Sequence, residues 1–394
     1  MSNLEKLLEG VEVEWKNLGE VTNVLRGRRL TREQLSVDMK FPVFHGGLEP
    51  LGYYGLSNRP ANSVMIINVG ASAGTVGYSD VDFWSSDGCF CIEHSELLNN
   101  KFLYYYLIGK QNLLQSRVRK AGIPTLDGLV IEKLQIPIPP LPVQKEIVRI
   151  LDTFTELTAE LTAELTARKQ QYEYYRNKLL NFNGINIDGG GGYKYLNMSE
   201  LGVLIRGNGL PKSDFTETGV PAIHYGQIYT YYGTYTKKTL SFVSVETAKK
   251  LRKVNYGDVV ITNTSENIED VGKAVVYLGE EVAVTGGHAT IFKPSKHITG
   301  KFFTYFTQTE YFASQKRKYA KGTKVIDVSA NDMAKILIPV PSLEEQERIV
   351  AILDKFDILT TSISEGLPKE IELRKKQYEY YRDLLLTFPH KETA

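Results

Sequence analysis

The chain is poor in the residues that would open several classes of function. It has two cysteines in 394 residues, Cys89 and Cys91. Two are too few for a disulfide framework. As alternate residues of a strand they share a face, with no Cys or His pair nearby to complete a zinc site, so two buried thiols and no metal are expected. No apolar run reaches the roughly 18 to 20 residues of a membrane span, and the opening MSNLEKLLEGVEVEW lacks a signal-peptide core. A cytoplasmic chain without membrane contact is expected. Neither sign of charge prevails: 47 Lys and Arg face 46 Asp and Glu, so any nucleic-acid role must rest on local basic clusters. Catalytic motifs are missing as well. There is no P-loop, no GxGxxG in a βαβ frame, no GxSxG, no HExxH and no Asn-Pro-Pro-aromatic motif, and the six histidines are scattered. No catalytic residue is expected.

What the chain does have is a duplication. With 42% hydrophobic and 11% aromatic residues it can bury two or three cores. LQIPIPPLPVQKEIVRILDTF, ending at Phe154, recurs as ILIPVPSLEEQERIVAILDKF, ending at Phe356. RKQQYEYYRNKLLNF from Arg168 recurs as RKKQYEYYRDLLLTF from Arg374, identical at 11 of 15 positions. The copies are 202 residues apart at the Phe and 206 at the Arg. Both stretches read as long helices. Ser342 with Glu345 forms a capping box, Pro142 suits a first turn, and apolar residues recur in steps of three and four. In the first copy these are Ile147, Ile150, Phe154, Leu157, Leu161, Leu165, Tyr172, Tyr175, Leu179 and Phe182, a coiled-coil seam. In the second copy Gly366 and Pro368 are expected to break or kink the helix.

Within the first helix TELTAELTAELTA repeats a four-residue unit from Thr155 to Ala167. A helix of about 38 residues would span roughly 57 Å at 1.5 Å per residue. One tetrapeptide adds about 6 Å and rotates the distal part of the helix by about 40°. Four residues are thus the smallest insertion that nearly keeps the buried face, although Ala, Glu and Leu also simply make good helix.

Two globular segments precede the two helices. VLRGRRL from Val24 matches LIRGNGL from Leu204, FPVFHGG from Phe41 matches VPAIHYG from Val220, SVMIIN at Ser63 parallels GDVVIT at Gly257, and RKAGIPTLDG at Arg119 parallels KYAKGTKVID at Lys318. Short Val/Ile/Tyr-rich strands and Gly turns mixed with one helical stretch make each segment α+β. The expected layout is a globular segment over 1–133, a spacer helix over 134–182, a Gly-rich linker over 183–192, a second globular segment over 193–335, a second spacer helix over 336–388 and a tail over 389–394. Gly189 to Gly192 read as flexible linker and not as a phosphate loop.

Tandem variable segments, each trailed by IPxPxxxxQxxIVxILDxF and RKxQYxYYRxxLLxF, with TAEL repeats in the first helix, resemble the specificity subunit of a type I restriction-modification enzyme, class IC-like. The resemblance covers essentially the whole chain. It implies two target-recognition domains, with helices packed as an antiparallel coiled coil under pseudo-two-fold symmetry, and a non-catalytic reader of a bipartite, asymmetric site in double-stranded DNA. It also implies two methyltransferase subunits as partners, methylating adenine N6 with S-adenosylmethionine, and restriction subunits using ATP and Mg. The tetrapeptide count would then set the unread gap. Half-sites read from one face lie about 10 to 10.5 base pairs apart, which leaves about six or seven unread, and two full TAEL units, Thr158, Ala159, Glu160, Leu161 and Thr162, Ala163, Glu164, Leu165, favour six.

Candidate DNA contacts rest on side-chain chemistry, with Arg forks suited to guanine and amides to adenine. In the first segment they are Arg26, Arg28, Arg29, His45, Arg117, Arg119 and Lys120. In the second they are Arg206, Asn208, Lys212, His224, Gln227, Lys316, Arg317, Lys318, Lys321 and Lys324. Each basic cluster has an ordinary alternative as a solvated surface, and each histidine as a structural hydrogen-bonder. Tyr172, Tyr175, Tyr378 and Tyr381 fall on the seam, whereas Tyr174 and Tyr380 face away and are candidates for a partner interface. Two other readings are a stand-alone DNA-binding regulator and a coiled-coil scaffold. Long unpaired apolar helix faces disfavour the first, and the recurring basic loops disfavour the second.

Overall fold

A computed structural model describes residues 8–182, 193–361 and 365–389. The glycine run 189–192 lies outside them. The chain divides into two compact units, one drawn from residues 1–160 and 372–394, the other from 161–371. One division falls between Glu160 and Leu161, inside the tetrapeptide repeat.

The first unit holds a four-stranded antiparallel sheet in the order Val24–Arg26, Cys89–Ile92, Ser63–Ile67, Val76–Ser79. Ser63–Ile67 is buried at every residue, as a strand covered on both faces must be. A second sheet orders Gly52–Tyr54, Phe41–Phe44 and Trp84–Ser85. The second unit repeats this plan and extends it. Gly202–Arg206, Ala289–Pro294, Val259–Thr262 and Ala274–Tyr277 neighbour one another in the same order, joined by Tyr235–Thr236. The register repeats too, with Arg26 opposite Phe90 and Arg206 opposite Thr290.

One of the matches drawn from sequence shifts. A bridge closes Arg119 on Thr125 in the first unit and Lys321 on Asp327 in the second. These loops are counterparts, so Arg119 answers to Lys321 and not to Lys318. The loop carries no apolar pattern to hold an alignment, whereas paired backbone groups fix it.

The first long helix runs Leu141–Leu179. The second run is two helices, Leu343–Thr361 and Gly366–Leu386. Gly366 has φ +79°, and a Cβ there would lie 2.4 Å from the Ile358 carbonyl oxygen, so the break is built around a glycine. Ser342 Oγ accepts from the Glu345 amide at 3.3 Å, while the Glu345 carboxylate pairs with Arg348.

These helices belong to the cores of the units. Ile147 and Leu151 are fully buried among residues such as Leu18, Ile66 and Phe102, together with Leu385 and Phe388. Each such side chain contributes about 1.5 to 3 kcal/mol of burial. In the second unit Tyr172, Leu180, Ile349 and Leu353 play this part. The long helices pack together in both units: Phe154 stacks on Tyr381 at 5.2 Å in the first, and Phe356 stacks on Tyr175 at 5.5 Å and Tyr172 at 6.2 Å in the second. The seam is shallower through the tetrapeptides, where Leu157 is 39% exposed and Leu161 and Leu165 are half-buried.

The two repeated polar residues, the Gln and the Asp of QxxIVxILDxF, tie each globular part to its helix. Gln144 Nε2 donates to the Leu97 and Pro139 carbonyls, and Gln346 Nε2 to those of His297 and Pro341. Asp152 accepts from Lys101 at 2.8 Å and from Tyr105 at 2.5 Å. Asp354 accepts from Lys301 at 2.5 Å and from Tyr305 at 2.8 Å. Burial foremost, then the adjacent carboxylate, pushes the Tyr105 hydroxyl up from its ordinary value, so it stays a donor.

Candidate nucleic-acid interface

In the first unit the basic strand end is held against a turn. A Cβ on Gly27 would lie 2.0 Å from the Ser86 carbonyl oxygen, so only glycine lets the backbone pass. Beyond it the Arg28 amide donates to Ser85 O at 2.8 Å, Trp84 Nε1 donates to Arg28 O at 2.6 Å, and the Arg59 guanidinium donates to Arg26 O at 3.0 Å. The backbone is fixed while the side chains of Arg26, Arg28 and Arg29 remain exposed. The same turn receives the neighbouring strand through Ser86 N to Phe44 O at 2.9 Å. Next along that strand, His45 Nδ1 accepts from the Gly88 amide at 3.2 Å, with Asp87 Oδ1 3.3 Å away. Asn68 N donates to Gly88 O, Leu126 N to Asn68 O, and Gly70 N to Pro124 O. These bonds add the loop that carries exposed Arg119 and Lys120, and exposed Arg117 ends the preceding helix. The candidates of this unit therefore lie along one hydrogen-bonded edge.

The second unit builds the same edge. A Cβ on Gly207 would lie 2.1 Å from Gly286 O. Arg206 Nε donates to Gly287 O at 3.2 Å and its guanidinium lies 3.6 Å from Asp327. Asn208 Nδ2 donates to Lys250 O at 2.6 Å. Asn263 N donates to His288 O and Val328 N to Asn263 O, again bringing in the loop, here with exposed Lys321 and Lys324. Lys321 pairs with Asp332 at 3.2 Å. Exposed Lys212 opens the short turn Lys212–Asp214.

His224 caps the helix Tyr225–Thr230, its Nδ1 accepting from the Gly226 amide at 3.2 Å. Burial, then Lys212 and His288, lower its imidazole from the ordinary histidine value, which favours the neutral ring that accepts at Nδ1. Gln227 is turned inward, bonding Ser241 Oγ at 2.6 Å. Arg317 is exposed and paired with Glu310, and Lys318 is exposed.

Lys316 departs from the sequence expectation. It is 7% exposed, and its ammonium donates to the carbonyls of Glu269 and Val271. Burial pushes it down to about 8. It lies on the inner face of the helix Glu310–Tyr319, whose outer face carries Arg317 and Lys318, and it is not available to a ligand. Helical phase separates these three adjacent basic residues.

Tyr174 and Tyr380 are 59% and 64% exposed. Each packs edge-on to its neighbour, Tyr175 or Tyr381, at 5.3 Å. Thr158 to Leu165 all lie within the first long helix. Sequence reading missed His288, whose exposed ring sits 4.9 Å from that of Tyr225. Its signal was the position just before the strand Ala289–Pro294, facing the end of the Arg206 strand. Cys89 and Cys91 are buried free thiols. Among the described residues no group of three or more His, Cys, Asp or Glu is placed to hold a metal, and no helix is long and apolar enough to cross a membrane.

Two α+β modules with the same exposed basic edge, each sharing its core with long helices, define a duplicated recognition protein. Residues 10–168 and 176–373 match the type I restriction modification DNA specificity domain, and the chain belongs to that family. It is the DNA specificity subunit of a type I restriction-modification system, the non-catalytic component of the enzyme. Among its relatives, the EcoR124I/EcoR124II specificity subunit of Escherichia coli is 34% identical, over 100% of this chain and 99% of its own. The EcoprrI specificity subunit of Escherichia coli is 27% identical over 93% and 92%. In fold the chain is similar to the S subunit of a type I restriction-modification system from M. genitalium, with TM-score 0.64 and 18% identity over 99% and 100% of the two chains.

Proposed function

We propose that the chain reads a bipartite, asymmetric target in double-stranded DNA, one half-site per target-recognition domain. Domain one is 1–133 and domain two is 193–335, with 134–182 and 336–388 as spacers and about six unread base pairs between the halves. Adenine N6 methylation with S-adenosylmethionine belongs to two methyltransferase subunits, and ATP- and Mg-dependent cleavage to restriction subunits, in a cytoplasmic complex. The exposed Tyr174 and Tyr380 are assigned to the partner contact. The identity to the EcoR124I/EcoR124II subunit supports a class IC-like assignment. One observation carries this reading: the basic edge recurs in both units on the same backbone framework, while its side chains differ, as Arg28 and Arg29 do from Asn208 and Gly209. A shared scaffold with different groups suits two different half-sites.

The test is single-molecule sequencing of modified bases in a methylation-free host expressing this chain with its cognate methyltransferase subunit. Methyladenine in one split motif is expected. A continuous motif would overturn the spacer assignment, and a soluble complex that leaves no methylation would favour a stand-alone regulator or a scaffold.

A further inference from the structure

The two units place an imidazole on the same turn by different routes. In the first, a Cβ on Gly88 would lie 2.7 Å from His45 Nδ1 and 2.8 Å from His45 Cε1. The His45 ring thus fills the space that a side chain at position 88 would need. In the second unit the counterpart of Gly88 is His288. Asn68 N bonds Gly88 O as Asn263 N bonds His288 O, and Cys89 N bonds Ser86 O as Ala289 N bonds Gly286 O. There His288 supplies the ring itself, exposed, with Nδ1 2.9 Å from Thr264 Oγ1. His224, the counterpart of His45 in sequence, is occupied instead as a helix cap.

We infer that His45 and His288 are functional counterparts, each donating an Nε2–H hydrogen bond to a backbone phosphate of the DNA beneath its unit. This rests on the proposed DNA reading. The donor is defined by the other ring nitrogen. In the first unit the Gly88 amide donates to Nδ1, which leaves the proton of a neutral ring on Nε2. Thr264 stands to His288 as the Gly88 amide does to His45, with Oγ1 2.9 Å from Nδ1; in the tautomer proposed, the hydroxyl donates to Nδ1 and the ring proton stands on Nε2. A phosphate is the partner because the same group stands at the same point of two modules that read different bases, and the backbone is what two half-sites share. The exchange of His45 for His288 then conserves the contact while freeing His224 to shape the second domain.

The assembled complex with its methyltransferase subunits is tested on duplexes carrying a single neutral methylphosphonate at each position in turn. Several positions should be sensitive in the wild type, because exposed Arg and Lys side chains of each edge also reach phosphates. One of them in each half-site, costing about tenfold in affinity as loss of a hydrogen bond to a charged group does, should belong to the histidine. His45→Ala and His288→Ala should each weaken binding about tenfold, leave the methylated motif unchanged and abolish the penalty at the matched methylphosphonate. Relaxation of one base of the motif would assign the ring to base reading and overturn the proposal, as would wild-type affinity in either variant or penalties that simply add. The methylphosphonate scan on the wild type needs no variant to fold, and finding no sensitive position in either half-site overturns the proposal. A wild-type complex that binds no split site at all would instead overturn the DNA reading beneath it.

Discussion

The backbone amide of Asn99 donates to Gln144 Oε1 at 2.8 Å, and that of Thr299 donates to Gln346 Oε1 at 2.9 Å. Asn99 and Thr299 are the N-caps of the helices Asn100–Gly109 and Gly300–Phe306. Each glutamine is fully buried and joins three backbone groups. Removing one partner of a buried hydrogen bond costs about 1 to 3 kcal/mol. Gln144→Ala and Gln346→Ala should therefore each destabilise the full chain by about 3 kcal/mol, and by similar amounts because their partners match. Chemical denaturation reads both, and a cost near zero in either would show that its bonds are not needed.

Lys316 makes the second unit sensitive to pH. Its folded value of about 8 lies below the ordinary 10.5, so between these values the unfolded chain binds the extra proton and stability rises with pH. The cost of the buried charge is present in full below about pH 8 and gone above about 10.5. Tyrosines titrate at the upper end of this window, so the comparison with Lys316→Met isolates the effect. The stability advantage of the variant should shrink by on the order of 3 kcal/mol from pH 8 to 10.5. A difference that stays flat over this range would mean that Lys316 remains charged and solvated.

Burial pushes the thiols of Cys89 and Cys91 up to about 12 and about 11. The thiolate is the nucleophile, so the native chain should resist iodoacetamide at pH 8 and take up two labels only when unfolded. Intact-mass spectrometry distinguishes these outcomes. Rapid labelling of the native chain would place a cysteine at the surface.

The parts legible in the sequence were those with a period or a repeat. Apolar spacing gave the long helices, and glycine with proline marked the break before Gly366–Leu386. The Gln and the Asp of the repeated motif were visible as a pattern, but their role was not, because Asn99 and Lys101 stand about fifty residues away and only the fold closes that distance. The basic loops stand out in the sequence, but adjacency there says nothing of which helix face Lys316, Arg317 and Lys318 each occupy. His45 and His224 align along equivalent strands, after Phe44 and Ile223. The ring that stands where His45 stands nevertheless comes from residue 288, a substitution between non-equivalent positions that no alignment can display.

The tetrapeptide offers the most direct test of the spacer. Residues Thr158 to Leu161 lie inside the continuous helix Leu141–Leu179, and through this stretch the leucines are only half-buried or more exposed. A deletion here removes little packing, unlike one around Ile147 or Leu151, whose side chains are fully enclosed. Removing four residues shortens the helix by about 6 Å and turns its distal part back by about 40°. The near-integral number of turns keeps Tyr172 and Leu180 close to the phase that buries them. The deleted chain should fold, assemble and methylate the same two half-sites with fewer unread base pairs between them, as read by sequencing of modified bases. Unchanged spacing would show that the helix length does not set the gap. Altered half-sites at constant spacing would show that the deletion perturbs the recognition domains themselves.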